Sequence, residues 1–143
     1  MKPMPTARFG VSACSLDGLL YAVGDYAGNG EYLKVVERYD PRSDTWTASA
    51  PMPTSRGHFG LCTIDGLMYA VGGCGNGEFA KVAERYDPRS NKWISLKPMS
   101  VARYGLGTCV IDGQLYGVCG FGGFRNVVER YDPRSDTWTT LKP

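Results

Sequence analysis

The residues able to do chemistry in this chain come in threes. Arginine stands at Arg8, Arg56 and Arg103, and a glutamate followed by arginine recurs at Glu37, Glu84 and Glu129. A guanidinium offers five N–H donors in a rigid fork suited to carboxylates. Repetition favours a structural use for these arginines: bonding backbone carbonyls or the repeated glutamates. The glutamates read as ion-pair members or exposed strand charges, because an acid–base pair would need a second, unique carboxylate that no repeat supplies.

Cysteine also repeats, as Cys14, Cys62 and Cys109, which points to a small buried hydrophobe on one strand. Cys74 and Cys119 lie beside glycines, where a thiol is expected to be accessible. There is no Cys-x-x-Cys, and His58 is the sole histidine, so neither a zinc or copper site nor a Cys–His nucleophile is expected. The glycine runs "GNG" and "GG" have no helix after them and do not make a phosphate loop. No cofactor is expected.

The elements that position these residues are themselves a repeat. One fixed interval separates each arginine from the tyrosine of "DGxxY": Arg8 from Tyr21, Arg56 from Tyr69, Arg103 from Tyr116. A second fixed interval runs from the "YDP" tyrosines Tyr39 and Tyr86 to the next arginine. Only the stretch between the two tyrosines changes, shortening from 21–39 through 69–86 to 116–131. All the length variation therefore lies in one loop per repeat. "VVERYDPRSDTWT" at 35–47 returns unchanged at 127–139.

Each repeat reads as four short strands, with no helical period. In the first repeat these are "FGVSACSL", "LLYAVG", "KVVERYD" and "TWTASA". Asp-Gly at 17–18, 65–66 and 112–113 is the strongest short hairpin signal. The expected class is all-β: three four-stranded blades over about 4–50, 51–97 and 98–143. The recurring tyrosines and Trp46, Trp93 and Trp138 are expected to pack blade against blade.

The whole chain excludes other classes. Its 143 residues carry 16 basic and 14 acidic groups, too balanced for a nucleic-acid or anionic-membrane footprint. The longest apolar runs, such as "LLYAV", are strand-sized and far below a membrane span. "MKPMPTARFG" has no signal-peptide apolar region. Five cysteines, an odd number, argue against a full disulfide framework. The expectation is a reduced, cytoplasmic protein.

The pattern "R…DGxxYxxGG…ERYDPxxxxW…PM" closely resembles the kelch repeat, and in detail the kelch domains of ubiquitin-ligase substrate adaptors. The glycine pair of that pattern is intact only at Gly72-Gly73. It reads Gly24-Asp25 in the first repeat and Cys119-Gly120 in the third, which implies altered loop geometry there. Tryptophans here precede Thr or Ile, which separates the chain from WD40 repeats. Kelch oxidases use histidine-containing copper sites that this chain lacks.

The resemblance implies a propeller, and propellers close with about 4–8 blades. Three blades make half of a six-bladed ring and leave two apolar faces bare. A two-fold homodimer is therefore expected to complete it. An engineered or excised self-assembling block without a native ligand is the alternative, and a kelch enzyme a lesser one.

In kelch adaptors, arginines at the Arg8, Arg56 and Arg103 position and two residues later bind acidic peptides. The later position holds Gly10, His58 and Gly105 here, so that set is incomplete. The variable loops add Tyr26, Tyr32, Phe79, Phe121, Phe124 and Arg125, of the residue types that interfaces enrich. The expected function is a non-catalytic scaffold whose loops, His58 and arginines hold a partner segment.

Overall fold

The structure is a computed structural model, and it describes residues 1–75, 78–122 and 126–141. These residues form strands and turns, with no helix among them. Three antiparallel sheets follow one another along the chain. The first is β1 (Ser12–Leu16), β2 (Leu19–Tyr26), β3 (Tyr32–Asp40) and β4 (Thr45–Ser49), paired in that order. The second is β5 (Gly60–Ile64), β6 (Leu67–Val71), β9 (Ala83–Asp87) and β10 (Lys92–Ser95). Its loop carries a small extra ribbon of β7 (Cys74–Gly75) and β8 (Glu78–Phe79) that the sequence did not announce. The third is β11 (Gly107–Ile111), β12 (Gln114–Val118), β13 (Val128–Asp132) and β14 (Thr137–Leu141). Each is built like the blade of a propeller.

Turn chemistry explains the order. The pairs Asp17-Gly18, Asp65-Gly66 and Asp112-Gly113 hold positive φ at both residues, as a two-residue type I′ hairpin requires. In the outer turn, Asp40, Asp87 and Asp132 each accept the main-chain N–H two residues on, at 2.8–2.9 Å. The turn then closes in the left-handed region at Asp44, Asn91 and Asp136. Those three side chains accept the hydroxyl proton of Tyr39, Tyr86 and Tyr131 at 2.6–2.8 Å. The innermost strands begin later than their apolar letters suggest. Gly10, His58 and Gly105 all adopt left-handed φ and break the extended run before Ser12, Gly60 and Gly107.

The core lies between sheets. Leu16, Tyr21, Val23 and Val36 of the first sheet pack on Met52, Phe59, Met68 and Tyr86 of the second repeat. One repeat on, Ile64, Tyr69, Val71 and Ala83 pack on Met99, Leu106, Leu115 and Tyr131. The two clusters use corresponding positions. Trp93 and Trp138 close their rims. The Trp93 indole N–H donates to the Ala50 carbonyl at 2.9 Å. That of Trp138 donates to the Lys97 carbonyl at 2.8 Å. Each ring is thus half-buried on its apolar body and satisfied at its polar edge.

The end sheets each lack one neighbour. Leu16 and Ile64 are 6% and 5% exposed, whereas Ile111 at the same position is 52% exposed. On the opposite end, Val11 and Leu20 are exposed where Phe59, Leu106, Met68 and Leu115 are buried. The expectation that Cys14, Cys62 and Cys109 are equally buried needs correction for the same reason. Cys14 and Cys62 are half-buried, with thiols pushed up to about 11 and about 12 by burial. Cys109 is exposed because no sheet covers it.

Candidate functional site

The three arginines do not line an open mouth. Their side chains are enclosed. Arg56 donates to the carbonyls of Gly72 at 2.6 Å and Ala70 at 3.1 Å, and to Glu84 at 2.7 Å. Arg103 donates to the carbonyls of Cys119, Val127 and Gly117 and to Glu129 at 3.0 Å. Arg8 pairs with Glu37 and with the carbonyls of Gly24 and Val35. Thr6 and Thr54 donate hydroxyl protons to Glu37 and Glu84, and Ser100 takes that place for Glu129. Desolvation pulls the Arg56 and Arg103 guanidiniums below their usual range, and the glutamate partners oppose it. The arginine main chain, in turn, ties sheet to sheet. The Arg56 carbonyl accepts from Asp25 N–H at 3.1 Å, and that of Arg103 from Gly73 N–H at 2.8 Å. A hub of this kind positions other groups, and its guanidiniums are already engaged.

What it positions is the loop rim directly above. The residue after each arginine (Phe9, Gly57, Tyr104) forms an isolated bridge to Tyr26, Cys74 and Phe121 respectively. The bridge fixes aromatic rings at the head of the inner strands. Tyr104 stacks on Phe121, ring centroids 5.4 Å apart, and meets Phe79 at 4.8 Å and His58 at 6.3 Å. Tyr26 and Tyr32 form a second group, 5.4 Å apart. Phe9, Phe79 and Phe121 expose half or more of their surface. His58 is exposed as well.

The structure thus gathers Tyr26, Tyr32, His58, Phe79 and Phe121 on one rim. Phe124 and Arg125 lie outside the described residues. Phe9 and Tyr104 were missed by sequence reasoning. Their signal is the position after the repeated arginine, which is aromatic in two repeats and glycine in the third. Cys74, expected to be accessible, is buried, and its thiol donates to the Tyr32 hydroxyl at 3.3 Å. Cys119 is exposed. Among the described residues no three His, Cys, Asp or Glu side chains gather as metal ligands. No helix among them is long and apolar enough to cross a membrane.

Antiparallel four-stranded sheets, stacked face to face around a repeated arginine–glutamate hub, define a β-propeller repeat protein. The chain belongs to the kelch family: the Kelch motif matches residues 7–53, 55–100 and 102–143. A Danio rerio protein, Influenza virus NS1A-binding protein homolog B, is 47% identical over 47 residues, which is 33% of this chain and 7% of that protein. The solved structure of YjhT superposes with a TM-score of 0.86 over 97% of this chain and 52% of that one. At 18% identity this shows the fold alone. The chain thus spans about half of that structure and a small part of that relative. Kelch repeats generally mediate protein–protein interaction.

Proposed function

We propose that this chain is a non-catalytic scaffold that binds a partner segment on its loop rim. One observation carries the reading: Phe79, Tyr104 and Phe121 form a continuous aromatic surface, largely exposed, on rigid bridged backbone. Large rings in one exposed cluster are what anchors a protein interface, and loops on a rigid scaffold are where binding concentrates. The buried arginines serve by holding that backbone in place.

The bare faces favour ring completion by a second copy. The uncovered face at Ile111, Tyr116 and Val118 has the residues that bury themselves in the first two sheets. The face at Met4, Val11 and Leu20 has the receiving positions of the second and third. The two ends are complementary in type, so a two-fold pair of chains covers both at once.

The test of the binding reading is selection of a random twelve-residue peptide display library on the intact protein. Clones are expected that bind the wild type and lose binding to Phe79→Ser/Phe121→Ser, while both proteins unfold at similar temperature. Clones indifferent to both substitutions, throughout the selected set, would defeat it.

A further inference from the structure

The seams between sheets carry charge as well as apolar side chains. Tyr21, Tyr69 and Tyr116 stand opposite Arg38, Arg85 and Arg130 in the strand register, so each tyrosine shares a face with an arginine. In the first two sheets that face is turned to the next sheet. Tyr21 meets Tyr86 with ring centroids 6.0 Å apart, and Tyr69 meets Tyr131 at 6.2 Å. The receiving tyrosine donates its hydroxyl proton to the residue that closes its turn, Asn91 in the second sheet and Asp136 in the third. Arginine and turn acceptor therefore lie at the same end of each seam. Between the second and third sheets both are charged. The Lys97 amide and then the Tyr131 hydroxyl hold Asp136 below its ordinary range, and the Arg85 charge adds to them from across the seam.

The end sheets carry the two halves of the same arrangement, unjoined. Tyr116 and Arg130 lie half-buried on the third sheet, with no sheet beyond them. Tyr39 and Asp44 occupy the receiving position on the first. Asp44 accepts the Tyr39 hydroxyl at 2.6 Å and the Lys2 amide at 2.9 Å, both on Oδ1. The one cation near it in the chain is the exposed Met1 ammonium, at 3.8 Å. Asp132 shares the face of Arg130 but is engaged in its own turn, where it accepts the Arg134 N–H at 2.9 Å.

We propose that Arg130 and the Asp44 of a second copy form the specificity pair of the seam between chains, and that this pair selects head-to-tail docking of the two bare faces. The proposal rests on the reading of the ring as completed by a second copy, and it names what orients that copy. Apolar burial has no direction of its own. By burial alone, two Ile111 faces could cover each other, and so could two Leu20 faces. The first arrangement gathers two Arg130 guanidiniums in one partly desolvated seam, and the second gathers two Asp44 carboxylates. Like charges there repel far more than they do in water. Only head-to-tail docking sets opposite signs together, and two-fold symmetry does so at both seams at once. The apolar side chains supply the cover, and the charge pair decides which faces meet.

The experiment measures the dissociation constant of the whole chain by sedimentation equilibrium. Arg130→Glu sets a carboxylate against Asp44 of the second copy and should weaken association at least about tenfold. Asp44→Asn copies Asn91, keeps the turn, and should weaken association only a few-fold. Added to Arg130→Glu, it should recover most of the loss, because the repulsion is gone. Arg38→Glu, at the seam inside the chain that faces neutral Asn91, should leave association unchanged. Should Arg130→Glu fail to fold, Arg130→Gln takes its place: with Asp44→Asn the two losses should then be no worse together than either alone. Undiminished association of Arg130→Glu, tighter association of it (the sign of two Ile111 faces meeting), or a double variant no tighter than Arg130→Glu would overturn the pairing and leave the two-copy ring standing. Fully additive losses in the neutral cycle would do the same. A wild type that never associates would sink the ring reading, and this inference with it.

Discussion

The Arg56 guanidinium and the Glu84 carboxylate meet at 2.7 Å with both side chains almost wholly out of water. Removing one member of such a pair strands the other as an uncompensated charge, which typically costs ~3–5 kcal/mol. Arg56 also satisfies the Gly72 and Ala70 carbonyls, which lose their donor with it. Arg56→Ala is therefore expected to destabilise by at least that much in urea unfolding. A loss under ~1 kcal/mol, the level of a surface pair, would show that the hub is not what holds the inner strands.

A smaller repeated contact is expected to contribute to the acid limb of stability. Asp44 is held below its ordinary 3.8 by the Tyr39 hydroxyl and then by the Lys2 amide. Asp136 is held below it by the Lys97 amide and then by the Tyr131 hydroxyl. A carboxylate whose folded pKa is depressed stabilises the fold above its unfolded value. That contribution fades as pH falls from about 3.8 through the depressed folded value. Asn91 fills the corresponding turn, accepting from Tyr86 and from Ala50 N–H at 2.8 Å with no charge to lose. Asp44→Asn/Asp136→Asn should leave unfolding near pH 7 almost unchanged and make the loss of stability below pH 4 shallower. An acid transition that does not move would refute the assignment.

How far the sequence foretold this molecule depends on the range of the contact. Asp17-Gly18 dictates its hairpin because the two φ angles are a property of those residues and their neighbours. Tyr39 and Asp44, five residues apart, belong to one turn and are equally local. Arg56 and Glu84 are 28 residues apart, so repetition could mark both as structural, but only the folded sheet shows them meeting face inward. Cys109 looked like Cys14 and Cys62 because its strand position is the same, and it differs only through the absence of a neighbouring sheet. The Gly24-Asp25 departure was visible as a break in the pattern. Its consequence depends on the Arg56 backbone and Gly57 of the next repeat, beyond any local rule.

Asp25, fully buried at φ 81°, allows a stability test independent of any ligand. Burial pushes its carboxyl above the usual range, with His58 opposing. An acid with a raised folded pKa destabilises the fold once pH exceeds its unfolded value, and has no such effect when it is protonated in both states. Relief of a left-handed non-glycine residue adds about 1–3 kcal/mol, against ~0.5–1 kcal/mol from the freer unfolded chain of glycine. Asp25→Gly is expected to be more stable than the wild type at pH 7, with the gain shrinking toward pH 3. A destabilised variant at pH 7 would mean that the carboxylate has a partner after all.

Cys119 makes the two-copy ring testable at a single atom. Gly24 and Gly72, its equivalents, sit where the next repeat presses closest: a Cβ on Gly24 would lie 2.9 Å from the Arg56 carbonyl, and one on Gly72 2.7 Å from that of Arg103. The third repeat carries a real Cβ there, at φ 55°, with no sheet beyond it. In the proposed two-copy ring, an Arg8 segment docking on that edge would have to shift to clear this Cβ, which would leave the seam between chains looser than the two within. Cys119→Gly removes the obstruction and should tighten the association measured by light scattering after gel filtration. Ile111→Lys puts a charge into the bare apolar face. It should drive the particle from twice 15.6 kDa to 15.6 kDa. A wild-type chain that stays a lone 15.6 kDa particle at every concentration, while unfolding cooperatively, would leave the two bare faces without the mutual cover assigned to them.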